Sequence, residues 1–122
     1  MKRIGLFCLL ISCIATASAE PEFHLCSGYV QRSATGEQSE NGWPVFIQLT
    51  ERGANSFKEF TEANVGSPVR IVVADREFTR ATLWTPIPGG RLHGSFPSEA
   101  AATEWQRLLE GGLPPAPCGA EK

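Results

Sequence analysis

Cys26 and Cys118 stand near the two ends of the chain that remains once an N-terminal export leader is removed. The leader is read from Met1-Lys2-Arg3, an apolar run over 4–11, and Ala17-Ser18-Ala19 before Glu20. A basic start, a short apolar core and a small-x-small site are the three parts of a secretory signal. A cut after Ala19 discards Cys8 and Cys13 and leaves residues 20–122, one domain by length. In an oxidising compartment the two remaining cysteines are expected to pair. Their bond would tie the ends together across a loop of about 90 residues, worth about 2–5 kcal/mol. The alternative is a reactive thiol pair, but redox cysteines sit at C-x-x-C spacing, which is absent.

The leader implies the periplasm. Its apolar run falls short of the roughly 20 residues that span a bilayer, and no second such run follows. A rival reading takes Leu10-Ile11-Ser12-Cys13 as a lipobox, with a lipid anchor on Cys13 and an unusually short apolar core before it. Without Lys2 and Arg3, nine basic side chains face thirteen acidic ones, a net charge of −4. No basic block of the kind that neutralises phosphates is present, which argues against a nucleic-acid partner.

Along the mature chain, residues 23–31 read as a first strand and 32–42 as a polar hairpin loop containing Asn41-Gly42. The β-branched and aromatic run 45–49 is the returning strand. Thr50 caps a helix over about 51–64, with Ala54, Phe57, Phe60 and Thr61 at helical spacing and Gly66 ending it. Strands follow over 69–73, 77–85 and 91–96, the first two joined by a turn at Ala74-Asp75-Arg76. Ser98 caps a second helix with Ala101, Trp105, Leu108 and Leu109 as its apolar stripe. Gly111-Gly112 stops it, and a proline-rich tail ends the chain. The expectation is an α+β layer: an antiparallel sheet of about five strands with two helices on one face, in the order ββαβββα.

Over residues 42–117 this order resembles the head subdomain of the first periplasmic domain of the SecD/SecDF protein-export family. The resemblance rests on Gly53-Ala54, Phe57, Phe60 and Ala63-Asn64-Val65-Gly66, then on the 69–73 strand and Pro86-Ile87-Pro88-Gly89-Gly90-Arg91. It continues through Gly94-Ser95-Phe96, Glu99-Ala100, Leu108-Leu109, Leu113-Pro114 and Ala116-Pro117. Most of these are fold residues: Gly66 for the helix stop, Gly89-Gly90 for a turn, and Phe57, Phe60 and Phe96 for the core. Two departures stand out. Asp75-Arg76 replaces the usual Asp-Gly turn, and only Leu92 and His93 separate Gly89-Gly90-Arg91 from Gly94-Ser95-Phe96. The second departure is about two residues shorter than the family's spacing, an even deletion that leaves the pleat unchanged. The membrane helices and second periplasmic subdomain of that family are not encoded here, so its proton-driven role does not carry over.

Candidate catalytic groups are few. Asp75 is the one aspartate, and His24 and His93 have no nucleophile-elbow serine to serve. His24, Cys26, His93 and Cys118 are a nominal zinc set without the close ligand pairs of real sites. Glu51, Glu59 and Glu62 read as a solvated helix face. The sequence therefore points away from an enzyme, a cofactor or a metal, and toward binding. Arg80, Thr82 and Trp84 alternate along one strand and share a face, joined by Arg70 and Val72 of the strand before. Tryptophan and arginine are enriched where interfaces concentrate their energy. The plainer alternative packs Trp84 under 86–88 and leaves the arginines as ordinary surface. Trp43 is expected to anchor a loop, and Trp105 to lie in the core. By resemblance, the partner is an extended polypeptide or another protein of the cell envelope; the competing class is a structural accessory subunit, and a third, a small hydrolase, would need a pocket holding His93 or His24 beside a nucleophile.

Overall fold

The computed structural model describes residues 20–85 and 89–120. The leader, its lipobox alternative and the 86–88 segment expected over Trp84 lie outside the described residues. The elements are β1 (Glu22–His24), β2 (Val30–Thr35), β3 (Trp43–Leu49), α1 (Glu51–Ala63), β4 (Pro68–Val73), β5 (Arg76–Thr82), β6 (Arg91–Phe96), α2 (Glu99–Gly111) and β7 (Gly119–Ala120). The expected ββαβββα order is present from β2 to α2, with a short strand added at each end.

The protein is α+β, but its strands form two sheets where one was expected. A four-stranded sheet runs β5-β4-β1-β7 and a three-stranded sheet runs β2-β3-β6. The cause is local. The expected first strand breaks at a turn where the Tyr29 amide donates to the Cys26 carbonyl, 3.0 Å. Residues before the turn join one sheet and those after it the other, so β2 occupies the expected loop as far as Thr35. β1 also runs parallel to β4, and the other strand pairs are antiparallel. Trp43 is the first residue of β3, opposite Phe96 and packed against the core, where a loop anchor was expected.

One core joins both sheets and both helices. Phe23 of β1 is fully buried and lies edge-on to Phe57 of α1, ring centroids 5.0 Å apart, with Phe60 at 5.2 Å. A second cluster ties β5, β6 and α2: Trp105 meets Phe78 at 5.3 Å and Phe96 at 5.6 Å. The α2 stripe is Ala102, Trp105 and Leu109, with Ala102 buried in place of the expected Ala101. Both caps are as expected. The Thr50 hydroxyl accepts from the Gly53 amide and the Ser98 hydroxyl from the Ala101 amide, each at 3.1 Å. Gly53 is needed because the Tyr29 carbonyl passes beside it, where a Cβ would meet that oxygen at 2.6 Å.

The chain ends meet through Cys26–Cys118, which closes a loop of 92 residues with Cα atoms 5.1 Å apart. The bond holds β7 beside β1, and the Ser27 amide donates to the Pro114 carbonyl nearby. Between β4 and β5 the turn residues are Ala74 and Asp75, at φ 50° and 67°. This is the two-residue hairpin geometry that favours Asn-Gly.

Replacing both cysteines by serine should lower unfolding stability by about 2–5 kcal/mol, read from denaturant midpoints. The double change Ala74→Asn with Asp75→Gly should raise stability by about 1 kcal/mol in the same assay, because asparagine and glycine adopt the left-handed backbone of this turn at lower cost than alanine and aspartate.

Candidate binding surfaces

The face of β4 and β5 turned away from the core carries the residues the sequence singled out, and their own sheet already occupies most of them. Arg70 and Arg80 are direct cross-strand partners, two like charges that repel unless a carboxylate intervenes. Glu77 intervenes. Its Oε1 accepts from Arg70 Nε at 2.8 Å and from Arg80 Nη2 at 3.1 Å. Arg70 also pairs with Glu22, and Arg80 Nε lies 3.2 Å from Glu20 Oε1. Glu77 and Arg80 are three residues apart and would face opposite ways on a regular strand. A bulge opposite Ile71/Val72 adds Phe78 to β5 and turns both to the same side.

Val72 is only 2% exposed, so it is no part of an open face. It is paired with His24 of β1, which is itself buried, so that row of the sheet is closed to solvent. Thr82 is exposed at the end of β5. Trp84, beyond the strand, is 72% exposed, its ring edge near Gly66. The structure thus leaves Thr82 and Trp84 open, ties up the two arginines and buries the valine.

A second surface escaped the sequence reading. α2 packs against one face of β2-β3-β6, and among the described residues no helix covers the other. On that face Arg32, Gln48 and Arg91 stand side by side across the three strands, and Ala34, Phe46 and His93 form the next row. Phe46 is 46% exposed, its ring 6.1 Å from that of His93. These rows line a shallow hollow of about 450 Å³. His93 and Arg91 also border an apolar cleft of about 220 Å³ between β5 and β6, floored by Phe57, Val69 and Ile71. The two strands come closest where Gly94 passes the Phe78 carbonyl, at 3.1 Å from a Cβ placed on that glycine. The signal for this face was present in the alternation of Phe46 and Gln48 with Val45, Ile47 and Leu49. Its significance depended on where α2 would pack.

Neither histidine sits in a catalytic arrangement. His24 is buried in the four-stranded sheet with Nε2 3.3 Å from Glu22 Oε1, and His93 lies on the other sheet. The nominal zinc set is dissolved in the same way, since its two cysteines are joined to each other.

Arg70, through its hydrogen bond, holds the Glu77 carboxyl below its ordinary value of 4.5, against a smaller opposing effect of partial burial. Glu77 raises the Arg70 guanidinium in return. The stability Glu77 contributes is complete above its ordinary value and is lost as pH falls through the lower, folded-state value. Stability should therefore decline with acidification below about pH 4.5, and Glu77→Gln should flatten that decline, as read by urea unfolding at several pH values.

Residues 25–115 match the model of the family described as SecDF, P1 head subdomain. Protein translocase subunit SecD of Sebaldella termitidis is 31% identical over 90 residues, 71% of this chain and 22% of that protein. SecD of Leptotrichia buccalis is 31% identical over 93 residues, 74% and 23% of the two chains. The chain thus spans less than a quarter of the length of these relatives. A solved structure of SecDF, described as a membrane component that enhances protein export, superposes with a TM-score of 0.65 at 24% identity, over 79% of this chain and 44% of that one. SecDF in a super-membrane-facing form gives 0.64 at 24% identity, over 79% and 13%. These two share the fold. The order of elements, the matched span and the identity to SecD converge, and the chain belongs to the SecDF P1 head subdomain family.

Proposed function

We propose that this chain is a non-catalytic binding module of the periplasm, exported by a leader cut after Ala19, that holds extended polypeptide during protein export. The observation that carries the reading is Phe46, a half-exposed aromatic at the centre of a sheet face that no helix among the described residues covers. Large aromatics at such positions supply contact area with little loss of conformational freedom on binding. The family supports the same direction, because its relatives are translocase subunits and its structural neighbour enhances export. No helix among the described residues is long and apolar enough to cross a membrane.

Trp84 supports a second reading. At 72% exposure it suits permanent docking to one envelope subunit, with the chain serving as an accessory part. A photo-reactive phenylalanine placed at 46 or at 84 separates the two. The expected result is adducts with exported chains in transit from position 46, and about tenfold weaker binding of an unfolded polypeptide by Phe46→Ser. Adducts from position 84 alone, with a single stoichiometric partner, would replace this reading with the accessory one.

A further inference from the structure

Seven arginines lie among the described residues, and their company differs sharply. Arg70 and Arg80 are held by Glu20, Glu22 and Glu77. Arg76 lies over the Trp105 ring at 4.6 Å and Arg52 over Tyr29 at 5.9 Å. Among the described residues, Arg32, Arg91 and Arg107 take part in no ion pair or cation–ring contact. Two of those three, Arg32 and Arg91, flank Gln48 on the uncovered sheet face, one row from Phe46 and His93. No carboxylate is among the residues lining their hollow.

This is a cationic row beside an aromatic one, on a mature chain whose net charge is −4. Because the acidic side chains outnumber the basic ones, a hollow lined by two unpaired guanidiniums and no acid is a local exception. At about 0.15 M salt, charges beyond roughly 8 Å are screened, so a bound segment responds to the hollow more than to the overall charge. The two arginines stand on strands either side of β3, about 10 Å apart by the spacing of paired strands. A ligand matching this arrangement carries an apolar side chain for Phe46, with carboxylates on both sides of it.

We infer that the Phe46 face selects acidic extended polypeptide, with Arg32 and Arg91 as the residues that read the charge. The inference rests on the polypeptide-binding reading above and adds to it the class of segment held. Guanidiniums suit the task because their planar forks pair with carboxylates in two-point geometry.

The test uses three peptides with the same central phenylalanine and flanks of glutamate, glutamine or lysine. Each is titrated against the purified chain and against its Arg32→Glu/Arg91→Glu variant by fluorescence anisotropy. Both substitutions are at exposed strand positions and leave the core untouched. The expected result is about fivefold tighter binding of the glutamate peptide than of the glutamine peptide, from two exposed pairs. In the variant the order should invert, with the lysine peptide binding more tightly than the glutamate peptide. Equal binding of all three peptides overturns the charge selection and leaves the polypeptide-binding reading standing. Binding of none overturns both. Retention on vesicles of anionic phospholipid, with no glutamate-peptide preference, also overturns the inference and assigns the arginines to a lipid surface.

Discussion

The placement of three residues, Glu22–His24, decides the architecture. They form β1, which lies inside the four-stranded sheet between β4 and β7, with Phe23 fully buried against α1. A three-residue strand has too few hydrogen bonds to hold such a position by itself. What fixes it is the cross-link immediately after it: Cys26–Cys118 brings the C-terminal tail alongside and supplies β7 as a second neighbour. The turn that follows then sends the chain into the other sheet. One covalent bond and one turn thus account for a two-sheet protein whose parts share a single core.

How much of this was legible follows from what each residue depends on. The helices were readable because their signals are local: Thr50 and Ser98 cap them, and Phe57, Phe60, Trp105 and Leu109 recur on one face. The cysteine pairing was readable because the expected leader takes in Cys8 and Cys13 and leaves Cys26 and Cys118 to each other. The division into two sheets was not, because residues 23–31 have strand character throughout and Ser27-Gly28 interrupts it only weakly. The bulge at Phe78 was also hidden, since strict alternation is the sole guide that a strand offers. It moved Glu77 onto the face of Arg80 and so changed the chemistry of the surface the sequence had favoured.

The seam between the two sheets explains why the uncovered surfaces differ. Phe78, Phe96 and Trp105 close it at one end, where Gly94 lets β6 approach β5. Toward Arg91 the strands diverge and leave the small apolar cleft. The hollow around Phe46 and this cleft share Arg91, Leu92 and His93 along β6. Among the described residues β6 pairs with a strand on one side only, and its other edge faces β5 across that cleft. A segment lying across Phe46 is therefore within reach of a strand edge able to supply main-chain hydrogen bonds.

Charge pairing decides which of the two sheet faces is available for a partner. On β4-β5 the guanidiniums already face carboxylates of the same sheet, so an incoming carboxylate would have to displace Glu77 or Glu22 and leave it unpaired. Such an exchange yields little net free energy, since exposed pairs are worth at most about 1 kcal/mol to begin with. On β2-β3-β6 nothing has to be displaced. Among the described residues Arg32 and Arg91 take part in no ion pair, and Phe46 gains by being covered. The arginines that the sequence assigned to a binding face serve the fold, and two that it did not so assign stand beside the aromatic that a ligand would cover.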